Sequence, residues 1–261
     1  MAYARGAAIP PDASAHVREC ARCSGLVRAL GATNPIVEPP IDLLQRIAAS
    51  VTADLKPVKP MAPEWARFLA LMVALALVAA VGASALGTAG WQALGEWQRL
   101  VIFSTLGAGA GMLAFSVGRQ VVPGSRLALS PGLLVAAVLG ITAGIFAGLF
   151  RSHEEATFVA TGLVCFRIGL ECAIPAGVVF WMILRRGAAL DPALTGATAG
   201  ALAGFSGLTV LETFCPNLNI YHVLVWHLGG TLASAIGGLA LGSVAEYFTR
   251  RIRAKPRHSA D

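Results

Sequence analysis

Six apolar runs follow one another along most of the chain, separated by short polar segments. They cover about residues 66–87, 100–118, 131–150, 158–184, 192–213 and 221–247. Each run is close to the ~20 residues that an α-helix needs to cross the hydrocarbon core of a bilayer. Residues 1–65 hold ordinary numbers of charges instead. The pattern predicts an all-α fold, a six-helix polytopic transmembrane bundle preceded by a small cytoplasmic helical head.

Positive charges in the connecting segments predict the orientation of this bundle. The second and fourth loops are rich in arginine, and so are the head and the C-terminal tail, whereas the first, third and fifth loops hold one arginine or none. We therefore expect a multi-pass protein of a bacterial inner (plasma) membrane with both termini in the cytoplasm. The predicted domains are a head over 1–60, a membrane domain over 61–249 and a basic tail over 250–261. No cleavable signal peptide is expected, because charges and prolines recur throughout residues 1–60.

Composition supports this picture. The chain is 56% hydrophobic and 13% charged, about half the charged fraction of a soluble domain. Its formal net charge is +6. Since the basic residues are those that set the orientation, the charge does not indicate direct binding to nucleic acid.

Small residues recur at four-residue spacing within the apolar runs. The glycines involved are Gly107 and Gly111, then Gly140, Gly144 and Gly148, then Gly196, Gly200 and Gly204. Such faces allow helix backbones to approach closely in lipid, either within one chain or in a dimer. We expect close packing within the chain.

The head contains the motif H-x-x-x-C-x-x-C, formed by His16, Cys20 and Cys23. On a helix these three side chains lie along one stripe, and their types suit zinc. Zinc prefers four ligands, and Asp12 is a candidate fourth ligand. The alternative is a metal-free helix with two incidental thiols. The motif favours zinc.

The stretch "IDLLQRIAASVTADL" predicts an amphipathic helix in the head. Its apolar stripe consists of Leu43, Leu44, Ile47, Val51 and Leu55. A lone helix on a small head has no core against which to bury such a stripe. We expect it to lie on the bilayer or to bind a partner protein.

Three cysteines lie toward the predicted outer face. Cys165 and Cys215 are expected at similar depth, and Cys172 lies about two helical turns from Cys165. On the oxidising side of the membrane such thiols can form a disulfide or detect oxidants or soft metals. The alternative is that they are small apolar core residues.

His222 and His227, with Glu212 nearby, could form a metal site together with Cys215. Their five-residue spacing is a poor fit to one face of an α-helix, where a spacing of four is preferred. We therefore favour hydrogen-bonded histidines at the membrane interface beside Trp226.

Arg167 and Glu171 are four residues apart in the fourth run and predict an intramembrane ion pair near the outer interface. The alternatives are a functional pair and an arginine that merely reaches toward the headgroups. Pro175 is expected to kink the same helix.

Two resemblances follow from these motifs. The H-x-x-x-C-x-x-C segment ahead of a membrane anchor resembles the zinc-associated anti-sigma domain of bacteria. From residue 41 to 249 the chain resembles the NrsF family, which are six-span negative regulators of extracytoplasmic-function sigma factors. The matching stretches are "IDLLQRIAASVTADLKPVKPMAPEWARF", "CFRIGLECAIPAGVVFWMILRRGAALDPALTGATAGALAG" and the "CP" loop with "VWH" after it.

The NrsF resemblance implies that the cytoplasmic segment binds and sequesters a sigma factor. It also implies that Cys165 and Cys215 take part in sensing stress. Residues 1–40 extend beyond the short head that is usual in this family, so the sigma factor could contact the motif helix, the amphipathic helix or both.

The sequence contains no nucleophile paired with a base and no phosphate-binding glycine loop, so an enzyme is not expected. The main alternative is a small transporter or channel with a polar pathway of Arg, Glu and His side chains. A metal or redox enzyme of the membrane is a second alternative. The expected partners are a sigma factor and the lipid bilayer.

Overall fold

The computed structural model describes residues 11–32, 40–54, 62–122, 124–125, 129–153 and 156–254. The chain divides into two units, Met1–Lys59 and Pro60–Asp261, which are described separately. The described residues of the first unit form α1 (Pro11–Glu19), α2 (Ala21–Ala32) and α3 (Ile41–Asp54). α1 packs against α2.

The second unit contains the long apolar helices. In chain order its elements are α4 (Glu64–Leu86), α5 (Ala89–Ala93), α6 (Glu96–Gln120), α7 (Pro131–Leu149), α8 (Phe158–Leu184), α9 (Pro192–Phe214), α10 (Ile220–His222), a π-helical turn (Val223–Leu228) and α11 (Gly229–Ala254). Within the described ranges, six helices are long and apolar enough to cross a membrane, and Ile220–Arg251 forms the last of them. The predicted all-α fold with six spans is confirmed, and the chain is a multi-pass membrane protein.

Two membrane-spanning helices begin with the same type of N-terminal cap. The side chains of Ser130 and Asp191 accept hydrogen bonds from the backbone N–H groups of Leu133 and Leu194, and a proline follows each capping residue. A capping oxygen satisfies an otherwise free N–H group, and proline at the first helical position needs no partner for its nitrogen. The loop sequences therefore determine where α7 and α9 begin.

α9 lies at the centre of the bundle and packs against α4, α6, α7, α8 and α11. Its span is 67% buried, against 17% for α4. The glycines of α9 allow this, because a Cβ at Gly204 would lie only 2.6 Å from the Cα of Thr231 in α11. Gly196 and Gly200 face the α11 backbone in the same way. The predicted packing within the chain is confirmed for α9.

The same prediction is wrong for Gly107 and Gly111 of α6, where an added Cβ would meet nothing within 4 Å, and for α7. Gly140, Gly144 and Gly148 are exposed on the outer surface, and a Cβ at any of them would meet nothing within 4 Å. A four-residue spacing indicates that a helix has a small-residue face but not which neighbour, if any, this face meets.

The bundle has two distinct ends. At one end the backbone N–H of Ala188 donates to the carbonyl of Val121 at 2.9 Å, and this end also holds Arg185 and Arg186. We call it the basic end. At the other end the N–H of Ile220 donates to the carbonyl of Arg151 at 3.2 Å. We call this the Cys215 end, because Cys215 lies in its last loop.

Candidate metal centres

A buried cluster of two thiols and two imidazoles lies at the Cys215 end. Cys165 comes from α8, Cys215 ends α9, His222 ends α10 and His227 lies in the π-helical turn. Their potential ligand atoms all lie within 4.8 Å of one another, and all four side chains are buried. We call these four residues the CCHH cluster.

The loop before α10 orients half of this cluster. Cys215 precedes a proline and adopts an extended conformation, which ends α9. Asn219 then caps α10 by accepting from the N–H of Tyr221, while its amide nitrogen donates to the carbonyl of His153 at 2.7 Å. These bonds hold the Cys215 loop against the loop before α8.

The π-helical turn explains how two histidines five residues apart reach one site. A π-helix makes i→i+5 hydrogen bonds, so residues five apart come together on one face. The rings of His222 and His227 lie 5.1 Å apart in an edge-to-face arrangement, and both are fully buried. The prediction that both histidines are hydrogen-bonded is confirmed, with Cys215 and Glu212 as partners. The expectation that their spacing keeps them from sharing one site is wrong, because it assumed a regular α-helix.

Trp226 packs the π-helical turn against α8. Its indole lies on Gly162, where a Cβ would collide with the ring. Phe158 and Phe166 flank the indole at centroid distances of 5.6 and 6.5 Å. Glycine at this position allows the close approach that brings the π-helical turn to Cys165.

Two distances within the cluster are close to those of tetrahedral coordination. The Sγ atoms of Cys165 and Cys215 are 3.6 Å apart, and Nε2 of His222 lies 3.8 Å from the Sγ of Cys215. Tetrahedral bonds of about 2.3 Å place two sulfur ligands about 3.8 Å apart. A metal ion would fit between these side chains with little rearrangement. Cys165 and Cys215 are both in the reduced form here, so oxidation to a disulfide is a second chemistry open to them.

Glu212 orients His227 for such a role. Its Oε1 accepts a hydrogen bond from Nδ1 of His227 at 2.8 Å, and the two side chains are 3% and 1% exposed. A neutral ring that donates from Nδ1 has its lone pair at Nε2. That Nε2 is buried and has no hydrogen-bond partner among the described residues. In metal sites, a carboxylate that accepts a hydrogen bond from the far nitrogen of a histidine commonly fixes the orientation of that ring.

Cys172, the third predicted sensing residue, does not join the cluster. It is half-buried and lines a groove between α4 and α8 together with Leu77, Val78 and Pro175. The structure thus brings together two of the three predicted thiols, Cys165 and Cys215, and places the third elsewhere on α8.

The predicted intramembrane pair forms. Nε of Arg167 lies 2.7 Å from Oε1 of Glu171, and the two side chains are 79% and 56% exposed on the outside of the bundle. The pair therefore faces away from Glu212 and His227 in the interior.

A second group of candidate ligands lies in the head. Sγ of Cys23 is 3.4 Å from Nε2 of His16, and Cys20 joins them within 4.8 Å. The helix is interrupted at Cys20, yet the N–H of Cys20 still donates to the carbonyl of His16 at 2.9 Å, so the side chains keep one face. Asp12 lies in α1, but its side chain is outside the described part of the chain.

The two head thiols differ in acidity. Hydrogen bonds from the backbone N–H and the thiol of Cys23 lower the pKa of the Cys20 thiol below its ordinary value. The same thiol–thiol interaction, together with partial burial, raises the pKa of Cys23. Cys20 is therefore the more readily formed thiolate, which is the form that binds metals.

The predicted amphipathic helix forms as α3. Leu43, Leu44 and Ile47 are 40%, 49% and 50% exposed, and Ile41 is 74% exposed. The side chain of Val51 and the whole of Leu55 lie outside the described residues. Within the described part of α3, the apolar stripe has no cover.

Comparison with known proteins identifies the family. The family model of NrsF, negative regulator of sigma F, matches residues 51–245. No curated protein and no solved structure matches the chain. The matched region contains the CCHH cluster and Glu212 but not the head motif. Since it covers most of the chain, the protein belongs to the NrsF family of negative regulators of sigma F.

Proposed function

We propose that the protein is an anti-sigma factor of a bacterial inner membrane. It binds an extracytoplasmic-function sigma factor, keeps it from RNA polymerase, and releases it when the Cys215 end receives an envelope, redox or metal stress signal. The observation that supports this best is the buried CCHH cluster within the region matched by a family of negative regulators. A regulator needs a site that detects its signal, and these side chains can bind a metal ion.

The orientation follows from charge. Arginines concentrate at the basic end, so this end faces the cytoplasm with both termini. The Cys215 end then faces the periplasm, where metal ions and oxidants arrive first. The head, on the other side, is available to a cytoplasmic sigma factor.

The apolar stripe of α3 is the proposed sigma-binding surface. It consists of Leu43, Leu44 and Ile47 among the described side chains, with Val51 and Leu55 as its predicted continuation. Exposed apolar stripes on short helices typically bind a hydrophobic groove of a partner. The head motif of His16, Cys20 and Cys23, completed by Asp12 or water, holds zinc and shapes α1 and α2 for the same partner.

A soft metal ion is the signal that the CCHH cluster fits best. Two thiolates with two imidazoles suit soft or borderline ions such as Cu(I), Zn(II) or Cd(II). Binding displaces the thiol protons and draws α8, the end of α9 and the π-helical turn onto one centre. Disulfide formation between Cys165 and Cys215 is the alternative event at this site.

The packing offers a route from the cluster to the cytoplasmic side. A Cβ at Gly90 of α5 would lie 2.6 Å from the carbonyl oxygen of Cys215. Gly82 of α4 meets Val210 of α9 equally closely. A shift of the Cys215 loop therefore acts on α4, whose other end begins at the juxtamembrane segment. A differential affinity of about 5.5 kcal/mol would reverse a 99:1 preference for the bound state.

The test is sigma capture by the purified full-length protein in detergent, with and without Cd²⁺. Each sigma factor of the host is offered to wild type and to Cys165→Ser, Cys215→Ser and Cys172→Ser. We expect capture of one sigma factor by all four proteins. We expect Cd²⁺ to release it from wild type and from Cys172→Ser, the matched control outside the cluster, but not from the other two.

Two results would contradict the proposal. Failure of every sigma factor to bind would remove the regulator function. Release from Cys165→Ser and Cys215→Ser as readily as from wild type would remove the cluster from the mechanism. Ile47→Asp tests the binding surface separately, and we expect it to abolish capture without changing Cd²⁺ binding.

A further inference from the structure

An arginine-lined pocket lies at the basic end of the bundle, far from the CCHH cluster in the fold. It has a volume of about 240 Å³ and lies between the start of α4, Val121 and the junction of α8 with the loop that follows it. Ala62, Ala66 and Ala70 line the α4 side at four-residue spacing. Their small side chains leave the hollow open. We call it the Arg67 pocket.

Arg67 is the unusual residue of this pocket. Its side chain is only 6% exposed, although it lines the cavity, and its Nε has no hydrogen-bond partner in the described part of the chain. Buried guanidinium groups are ordinarily paired, because an unpaired buried charge is strongly unfavourable. The missing partner is a negatively charged group that accepts hydrogen bonds.

The walls add more positive charge. Arg185 and Arg186 line the pocket with Arg67, and no carboxylate lines it among the described residues. Three guanidinium groups around one cavity match the charge and the oxygen-rich surface of a phosphate, which arginine binds through paired N–H donors. The volume of this pocket is about 240 Å³. This is enough room for a phosphate group with part of a headgroup.

We propose that the Arg67 pocket binds the phosphate group of an anionic phospholipid. Free phosphate shares this chemistry, but the surroundings favour lipid. Trp181 and Met182, at the end of α8, are 62% and 48% exposed next to the pocket, and Leu69 of α4 is 52% exposed. These side chains provide an apolar surface along which acyl chains extend. The guanidinium of Arg185 lies 5.9 Å from the Trp181 ring, an aromatic at headgroup level.

The test is native mass spectrometry of the full-length protein in detergent, titrated with phosphatidylglycerol or with phosphatidylcholine of the same acyl chains. We expect wild type to bind phosphatidylglycerol at least tenfold more tightly. Arg67→Gln should lose this preference, and so should the double variant Arg185→Gln/Arg186→Gln. Arg250→Gln, which removes the same charge from an exposed arginine paired with Glu246, is the matched control and should keep it.

The outcomes separate the sources of phosphate. Inorganic phosphate at millimolar concentration should leave bound phosphatidylglycerol in place. If it displaces the lipid from wild type but not from Arg67→Gln, the pocket binds free phosphate and the lipid proposal fails. Retention of the tenfold preference by the variants overturns it as well. If Arg67→Gln does not fold, the double variant decides, because Arg185 and Arg186 are exposed. None of these measurements involves the sigma factor, so the result is independent of the proposed function.

Discussion

The sharpest test of the CCHH cluster is the substitution Glu212→Gln. Glu212 accepts a hydrogen bond from Nδ1 of His227 at 2.8 Å in a fully buried position. Glutamine has the same shape, and its amide oxygen can still accept this hydrogen bond. The change therefore removes the negative charge while leaving the packing of α9 intact.

The magnitude follows from the bond that changes. Hydrogen bonds to charged groups contribute about 1.5–3 kcal/mol and neutral ones about 0.5–1.5 kcal/mol. A loss of about 1.4 kcal/mol corresponds to a tenfold weaker affinity. Loss of the group that orients a ligating histidine typically weakens metal binding by about 10–100-fold. Glutamine keeps the hydrogen bond, so the loss of affinity in Glu212→Gln should lie at the lower end of that range.

The assay is competition for Cd²⁺ between the detergent-solubilised protein and a chromophoric chelator, at fixed pH. Head ligands contribute equally to wild type and variant, so the difference reports the CCHH cluster. Glu171→Gln is the matched control, because Glu171 is 56% exposed and pairs with Arg167 outside the cluster. Equal affinities for Glu212→Gln and wild type, or an equal loss in both variants, would refute the assignment of His227 as an oriented ligand.

Three further predictions rest on separate features. Deleting Val225, an exposed residue of the π-helical turn, should convert that turn to α-helix. The two cluster histidines would then be four residues apart and still share one face, so the Cd²⁺ affinity should stay within about tenfold of wild type. Complete loss of Cd²⁺ binding would contradict the role of the turn. Gly200→Leu should lower the midpoint of thermal unfolding in detergent by disrupting α9 against α11, whereas Gly144→Leu should have little effect; similar shifts would refute the packing. In metal-free protein at neutral pH, Cys20 should react with iodoacetamide faster than Cys23, because its lowered pKa gives more thiolate. Peptide mass spectrometry measures the two rates. A faster reaction at Cys23 would contradict the assignment of Cys20 as the more acidic thiol.

The spans and the local pairs could be predicted from the sequence because their causes are local. A bilayer requires each crossing segment to satisfy its own backbone, so about twenty apolar residues in a row predict a helix wherever they occur. Arg167 and Glu171 pair across one helical turn, and the four-residue spacing alone indicates this.

The CCHH cluster could not be predicted with equal certainty because it depends on tertiary packing and on one irregular turn. Cys165 and Cys215 are 50 residues apart in the chain and meet only when α8 packs against α9. His222 and His227 share a face only because the backbone there is π-helical. Spacing rules for regular helices cannot anticipate that change, and they led us to disfavour a site that both rings share.

The arrangement of buried polar groups argues against transport. Among the described residues, the buried ionisable side chains of the spans and their connecting loops are Arg67 at the basic end and Glu212 with the CCHH cluster at the Cys215 end. Between them, buried hydroxyls such as that of Thr142 donate to a carbonyl one turn earlier in the same helix, so they are already satisfied and do not continue a pathway. A solute or proton route needs polar groups that reach both sides. The buried ionisable groups lie at the two ends of the bundle, and closely packed helices connect these ends. This arrangement suits a sensor that transmits a conformational change across the membrane.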